Sequence, residues 1–188
     1  MTRWPPDSRG RLEASALELY IERGFDDTTV AEIAGRAGLT ERTFFRYFAD
    51  KREVLFGGAG LLGEALSTAV ASAAASLGPM DVVVEALASL APLFEGRRDL
   101  VLRRQIVIDA NPDLRERELV KLESLADTLT AALSARSVDA ARARLAAQAG
   151  LAAFRLAFQR WVDDEGRQGM AGLIREAAHE LRSVVSGR

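Results

Sequence analysis

The chain has 188 residues, of which 48% are hydrophobic and 28% are charged, and its formal net charge is -2. This composition is ordinary for a folded soluble protein, and the absence of cysteine excludes disulfides, thiolate metal sites and cysteine nucleophiles. The slight acidity excludes nucleic-acid binding over the whole surface, so any such site must be local. The N-terminus lacks the apolar segment of a signal peptide, and we find no uninterrupted apolar run that reaches bilayer-spanning length. We therefore expect a cytoplasmic protein with no membrane partner.

Apolar residues recur at three- and four-residue spacing along almost the whole chain, including the run Val82–Val84. This periodicity predicts an all-α protein of about nine helices, because no long segment alternates apolar and polar residues. We place the domain boundary near Arg52, which separates residues 1–52 from a C-terminal helical domain, 53–188. The first two predicted helices run from Asp7 or Ser8 to Gly24 and from Thr29 to Gly38, and Thr40 begins a short third helix. The later ones run from Asp50 to Gly78, Asp81 to Gly96, about Asp99 to Ala110, Pro112 to about Ala135, Ser137 to about Asp163, and from beyond Gly166 to about Ser186.

Local signals mark the beginnings and ends of the first helices. Thr29 and Glu32 have the spacing of a capping box, in which each side chain accepts from the backbone N–H of the other residue. Gly38 suits the left-handed conformation that ends a helix, and Thr40 suits the N-cap of the next one. The second and third helices are thus joined by a very short turn.

Three further signals concern the later helices. Asp50 is expected to cap the fourth helix, with Glu53 in its first turn, and Ser137 is expected to cap the eighth. Pro92 is expected to kink or shorten the fifth helix, because proline cannot donate a backbone hydrogen bond.

Each of the first three helices carries one apolar stripe, so the three predict a small common core. A pair of helices joined by such a tight turn is typical of a helix-turn-helix, whose second helix lies in the major groove of DNA. The stripe residues are Leu12, Ala16, Leu19 and Tyr20 in the first helix, Val30, Ile33, Ala34 and Ala37 in the second, and Phe44 and Phe48 in the third.

The third helix carries polar side chains off its apolar stripe. Arg42, Thr43 and Arg46 are predicted to point outward, and Tyr47 and Lys51 follow. Arginine reads guanine by a bidentate hydrogen bond, and the other types suit phosphate oxygens. The N-terminal arm adds Arg3, Arg9 and Arg11. Charge alone leaves open a merely solvated face, but the aromatic run Phe44–Phe48 behind these side chains favours a DNA-reading helix.

The segment from about Leu12 to Leu55 resembles the TetR (tetracycline-repressor) family. The resemblance is carried by GFDDTTVAEIAGRAGL at residues 24–39 and TERTFFRYFADK at residues 40–51. It implies a homodimeric repressor that binds a pseudo-palindromic operator. It also implies that the C-terminal half binds a small amphipathic or hydrophobic effector, which releases the protein from double-stranded DNA.

The resemblance also implies which residues contact DNA. Thr29, Tyr47 and Lys51 would bind phosphates, and Thr40 begins the recognition helix at the DNA. The residues expected to face base edges are Glu41, Arg42, Thr43 and Arg46, with Phe45 partly at the groove.

The eighth predicted helix is rich in alanine, and the ninth has an apolar stripe at Leu173, Ile174, Ala177, Leu181 and Val184. By the resemblance, these two helices pair with their copies in a dimer interface. The alternative that they only close the core of one protomer stays open.

Six side chains of the C-terminal half are candidates for the effector site, although each could equally be a core residue. Phe154, Phe158 and Trp161 share one face of the eighth helix, and Arg104 would bind a polar or anionic group together with its neighbours Arg103 and Gln105. The six are Phe94, Arg104, Ile108, Phe154, Phe158 and Trp161. Residues 111–133 and 150–162 also resemble actinobacterial family members that include regulators of the mycofactocin system, which favours an acyl-thioester or other amphipathic ligand.

One motif suggests a different class of function. Gly58, Gly60 and Gly63 match G-x-G-x-x-G, but in a dinucleotide site these glycines follow a strand and open a helix. No strand is predicted here, and the single histidine, His179, makes neither a metal cluster nor a catalytic triad. We therefore predict no catalytic residue, metal or cofactor. A dinucleotide-dependent enzyme and a helical interaction module without DNA binding remain the alternatives.

Overall fold

The structure is a computed structural model that describes residues 7–164 and 167–187. Within these residues it has ten α-helices, one 3-10 turn and no strand, which confirms the predicted all-α class. The helices are α1 (Ser8–Arg23), α2 (Val30–Arg36), α3 (Glu41–Tyr47), α4 (Ala59–Ser72), α5 (Pro79–Ser89), α6 (Ala91–Glu95), α7 (Arg98–Ala110), α8 (Pro112–Ala135), α9 (Ala140–Asp163) and α10 (Met170–Ser186), and the 3-10 turn is Glu53–Phe56.

The predicted signals at the ends of α1, α2 and α3 are confirmed. The Asp7 side chain accepts from the Gly10 N–H at 2.9 Å and caps α1. Thr29 and Glu32 form the full capping box of α2, and Thr40 caps α3 through the Thr43 N–H. Between α2 and α3, Gly38 has a φ of 64°, which a side chain rarely adopts. Short-range sequence signals thus set the length and direction of these helices.

The residues divide into two compact units. The first comprises the described residues up to Gly58 together with Asp99–Leu119, and the second comprises Ala59–Arg98 and the described residues from Val120 on. The first unit is therefore larger than the expected domain of residues 1–52. Its core explains why: the stripes of α1, α2 and α3 are buried together with the 3-10 turn and with apolar residues of α7 and α8. These additional buried residues are Val54, Leu55, Phe56, Val107, Ile108 and Leu114.

In the second unit, α5, α9 and α10 pack against one another. The run Val82–Val84 is helical, as predicted, and buried in α5. The small residues of α9 allow close packing, because a Cβ on Gly150 would overlap the Val83 side chain. Arg136, just after α8, donates to the carbonyls of Val70, Ala73 and Ala74, which closes the C-terminal end of α4.

The prediction of one continuous fourth helix from Asp50 to Gly78 is wrong. Asp50 does accept from the Glu53 N–H at 3.2 Å, but this contact opens a 3-10 turn rather than an α-helix. Gly57 and Gly58 lie in a turn, and α4 begins only at Ala59 and ends at Ser72. Two successive glycines favour such a break, since glycine loses more backbone entropy in a helix than other residues do.

Two later helices also differ in detail from prediction. The fifth predicted helix is divided at Leu90, where α6 starts with Pro92 in its first turn; the expected effect of this proline is thus confirmed. The cap of α9 is Asp139 rather than Ser137, because the Asp139 side chain accepts from the N–H groups of Ala141 and Arg142. Ser137 instead has a φ of 63° in the turn before it.

One segment corrects the expectation about apolar runs. Among the described residues, Glu53–Ser72 is long and apolar enough, by length and composition alone, to cross a membrane. The segment is not one continuous α-helix: only the 14 residues of α4 are α-helical, and a helix of that length spans about 21 Å against about 30 Å of bilayer core. It also contains Glu53 and Glu64.

Candidate DNA interface

The outer face of α3 is formed by side chains that its apolar anchors hold outward. Phe44 and Phe48 are buried and pack against each other with ring centroids 5.4 Å apart. On the opposite side Glu41, Arg42 and Arg46 are exposed, and 55% of Phe45 is exposed. Phe45 thus adds an apolar surface between the two arginines on this face.

Arg42 forms no hydrogen bond or ion pair with any residue that the structure describes. Its fixed positive charge and its five N–H donors are therefore available to an external acceptor. The neighbouring Arg46 stacks on the Tyr47 ring at 4.7 Å and donates to its hydroxyl at 2.9 Å. The structure thus exposes Arg42, Phe45, Arg46 and Tyr47 on α3.

Two of the predicted contact residues have structural roles at helix ends. The prediction that Thr43 points outward is wrong: Thr43 is only 4% exposed, and its hydroxyl lies 3.1 Å from that of Thr40, inside the cap of α3. A contact from Thr43 to a base would require the side chain to leave this position. Thr29 is exposed at the start of α2, and its N–H and hydroxyl both donate to Glu32 at 2.8 Å. These hydrogen bonds lower the pKa of the Glu32 carboxyl.

Lys51 is held inside the first unit. Its ammonium donates to the carbonyls of Phe25, Asp26 and Thr28 at 2.8–3.1 Å and lies 4.4 Å from the centre of the Phe25 ring. These three bonds match the three donors of an ammonium group. A phosphate contact by Lys51 would therefore require at least one bond to be exchanged. The Lys51 carbonyl in turn accepts from the Tyr20 hydroxyl at 2.6 Å, and burial raises the pKa of Tyr20.

Three other arginines of the first unit are paired within it. Arg36 forms a bidentate pair with Glu22 at 2.6 and 2.7 Å, which lowers the pKa of Glu22. Arg9 contacts Glu13 and the Gly57 carbonyl, and Arg11 donates to the Ala37 carbonyl at the end of α2. Arg3, the remaining basic residue of the predicted arm, lies outside the described residues. Unlike these three arginines, Arg42 on α3 has no partner among the described residues.

The six residues proposed for an effector site fall in two units. Phe94, Phe154, Phe158 and Trp161 form a continuous set of ring contacts in the second unit, with centroids 5.8–6.2 Å apart; we call them the ring cluster. Ile108 lies instead in the core of the first unit.

Arg104 also belongs to the first unit. It donates to the Leu55 carbonyl at 2.6 Å, lies over the Phe56 ring and pairs with Glu118 at 3.5 Å. Burial lowers its pKa. Arg104 and Ile108 are therefore structural residues of the first unit in this conformation.

The cation beside the ring cluster is Arg98, which sequence reasoning did not identify. Its guanidinium lies 4.3 Å from the centre of the Trp161 ring and donates to the Trp161 carbonyl at 2.8 Å. These two residues are 63 positions apart in the chain, and no short-range pattern joins them.

An open groove lies between α4 and α8 in the second unit. Its volume is about 670 Å³, which is within the usual range for ligand sites, but its lining has no aromatic side chain. Gly60 and Gly63 of the glycine motif line it. A 3-10 turn precedes these glycines instead of a strand, so the context that a dinucleotide fingerprint requires is missing.

A buried three-helix core that presents a basic recognition helix defines a helix-turn-helix DNA-binding domain. Residues 13–56 match the family model described as bacterial regulatory proteins of the tetR family. The chain therefore carries a TetR-family N-terminal domain.

Two curated relatives are similar to parts of this chain. The transcriptional regulator TcmR of Streptomyces glaucescens is 29% identical over 135 residues, which are 69% of this chain and 60% of TcmR. MftR of Mycobacterium tuberculosis, a regulator provisionally assigned to mycofactocin biosynthesis, is 45% identical over 42 residues, which are 22% of this chain and 21% of MftR. The matches thus cover less than two thirds of either relative.

Solved structures resemble the whole chain. The fold is similar to that of Thermus thermophilus FadR, described as a TetR-family transcriptional repressor in complex with lauroyl-CoA, with 25% identity, a TM-score of 0.59 and 93% of each chain covered. This similarity confirms the all-helical architecture of TetR-family regulators.

Proposed function

We propose that this protein is a ligand-responsive transcriptional repressor that binds a pseudo-palindromic operator as a homodimer in the cytoplasm. The observation that carries the proposal is the outer face of α3, where Arg42 is exposed without a partner among the described residues and Phe45 is exposed beside it. A short recognition helix reads few base pairs, so two copies at half-sites one helical turn apart are needed for specificity.

The exposed face of α9 supports a homodimer. Ala141, Leu145, Ala152 and Leu156 follow one another at helical spacing and are all exposed. Of the predicted α10 stripe, Leu173, Ile174 and Ala177 are buried within the second unit, which leaves only its last part for a partner. We therefore assign the dimer interface to the outer face of α9 together with the exposed residues of α10.

The effector is proposed to be a small amphipathic or hydrophobic molecule bound by the second unit. The lauroyl-CoA complex of the similar FadR supports this chemical class. Binding of the effector would favour a dimer whose recognition helices are wrongly spaced for the operator. Linkage then requires DNA to weaken effector binding by the same factor.

The experiment is selection of genomic fragments by the purified full chain, at near-physiological salt because affinity for DNA depends steeply on it. Recovery of one inverted repeat supports the proposal, and the genes beside it narrow the effector. Recovery of no enriched sequence, with and without candidate effectors from those chemical classes, would contradict it. The matched specificity control is Arg42→Gln, which should lose the enrichment while the protein stays folded.

A further inference from the structure

The ring cluster has a buried centre and a partly exposed rim. Trp161 is only 1% exposed, whereas Phe94, Phe154 and Phe158 are each half-buried, so part of each phenylalanine ring reaches the surface. Phe158 contacts both Phe154 and Trp161, with centroids 6.1 and 6.0 Å apart. The cluster is thus an apolar surface built on a rigid buried base.

Arg98 adds a positive charge beside this surface. One of its terminal nitrogens donates to the Trp161 carbonyl at 2.8 Å. The other, Nη1, is buried and has no hydrogen-bond partner. Arg98 also forms no ion pair with any residue that the structure describes, although a guanidinium is always charged in proteins.

The carboxylate nearest along α6 is already engaged. Glu95 accepts from the Met170 N–H at 2.8 Å and so satisfies the first turn of α10, whose own N-cap residue is glycine. Moving Glu95 to Arg98 would leave that N–H without an acceptor. The second unit therefore offers Arg98 a stacking base but no anion from this neighbour.

A buried donor of a charged group is expensive to leave without an acceptor, and such groups in native proteins usually have one. We propose that Arg98 and the ring cluster form a binding site for an organic anion with an apolar body. Because Nη1 of Arg98 is closed to solvent, binding includes a shift of the side chains that cover it. The carboxylate then accepts from Nη1, and the body covers the exposed parts of Phe94, Phe154 and Phe158. This inference rests on the proposed function in that it names the chemical class of the effector.

The protein offers a built-in probe for this site, because Trp4 and Trp161 are its two tryptophans. In a Trp4→Phe background, the emission of Trp161 reports directly on the ring that Arg98 covers. We would titrate this full-length variant with octanoate and with 1-octanol, which have the same chain length but differ in charge. The emission should change saturably with octanoate, with an affinity about tenfold or more above that for octanol, since a charge-assisted hydrogen bond is lost in the alcohol.

Substitution at Arg98 provides the second measurement. Arg98→Gln should abolish the preference for octanoate over octanol, whereas Arg97→Gln, which removes an exposed arginine one residue earlier, should preserve it. Equal affinity of octanoate and 1-octanol for the Trp4→Phe protein would overturn the proposal, whether or not an Arg98 variant is measured. An emission change that follows protein concentration rather than octanoate would also overturn it, because a second copy would then cover the rings.

Operator binding distinguishes failure of the anion site from failure of the proposed function. Operator binding of the Arg98→Gln protein without ligand should equal that of the parent, since Arg98 lies in the second unit and the helix-turn-helix lies in the first. Loss of anion preference with intact operator binding supports the site. Intact anion preference in a protein that selects no operator would retain the site and reject the regulator.

Discussion

Arg42 is the residue on which the DNA-binding proposal depends most directly. Arg42→Gln should weaken operator binding by about 5- to 150-fold, because a bidentate arginine–guanine contact contributes about 1–3 kcal/mol. The loss should be largest for the native half-site and small for unrelated DNA. Fluorescence anisotropy with both DNAs, at one fixed salt concentration, measures the difference.

The control for Arg42 is Arg97→Gln, which removes the same charge from an exposed position in the second unit. It should change operator affinity little. An equal loss in both variants would mean that only net charge matters, and base reading by Arg42 would then be rejected.

Lys51 has three hydrogen bonds to backbone carbonyls within the first unit, so its main role there is structural. Lys51→Met should lower the free energy of unfolding by about 1.5–3 kcal/mol, the usual range for hydrogen bonds to a charged group. Urea denaturation followed by circular dichroism measures this loss.

The same variant tests the phosphate contact that the family resemblance implies for Lys51. A phosphate-binding lysine contributes about one unit to the slope of log affinity against log salt concentration. A structural Lys51 predicts an unchanged slope under conditions where the variant is folded. A slope reduced by one unit would show that the lysine exchanges a carbonyl for DNA.

At the scale of one helix, the capping box of α2 predicts a dependence of stability on pH. The pKa of Glu32 is lowered from 4.5, first by the hydrogen bond from the Thr29 N–H. Its contribution to stability is therefore complete above pH 4.5 and is lost as the pH falls through the lower folded-state pKa. Glu32→Gln keeps an acceptor but cannot titrate, so the variant should lose less stability than the parent on acidification. Thermal unfolding of both proteins, measured as the pH falls through 4.5, tests this prediction. Equal losses of stability in the parent and the variant would contradict the role of the Glu32 carboxylate.

The packing of α5 against α9 depends on the absence of a side chain at Gly150. Gly150→Ala should destabilise the protein by about 1–3 kcal/mol, because the added methyl group overlaps Val83 in a packed core. Gly35→Ala is the matched control, since Gly35 is also helical and its Cβ would meet nothing within 4 Å. Gly35→Ala should raise the free energy of unfolding by about 0.5–1 kcal/mol, because alanine has a higher helix propensity than glycine. Chemical denaturation of both variants decides whether packing or propensity dominates at Gly150.

At the scale of the whole molecule, the proposed dimer makes Leu145 a test position. It is 72% exposed on the outer face of α9. Leu145→Glu should convert the dimer to a monomer, because two charges would face each other in an apolar interface. Operator affinity should then fall by roughly tenfold or more, since one recognition helix reads only a half-site. Sedimentation equilibrium gives the mass and anisotropy gives the affinity.

Leu61→Glu controls for the general effect of a glutamate on an exposed leucine, because Leu61 is 69% exposed on α4. Leu61→Glu should sediment with the mass of a dimer, as the parent does. A Leu145→Glu protein that stays dimeric would show that the outer face of α9 is not the dimer interface. The proposal that α3 binds DNA would be unchanged by that result.

The parts of the molecule that were predictable from sequence depend on short-range interactions. The ends of α1, α2 and α3 follow from capping contacts between residues three positions apart and from one left-handed glycine, and the outer face of α3 follows from helical periodicity. By contrast, the prediction of a continuous fourth helix failed because its apolar pattern continues through Gly57 and Gly58, where the backbone turns.

Sequence alone thus determined the all-helical class, the family resemblance and the exposed polar face of the third helix. Only the tertiary structure decided that Asp99–Leu119 packs in the same unit as the helix-turn-helix, where Arg104 and Ile108 are structural residues. Only the tertiary structure also decided that Arg98 is the cation beside the ring cluster. The physical reason is separation along the chain. The Arg104–Leu55 and Arg98–Trp161 contacts join residues 49 and 63 positions apart, and such pairings arise from packing of whole helices rather than from any local pattern.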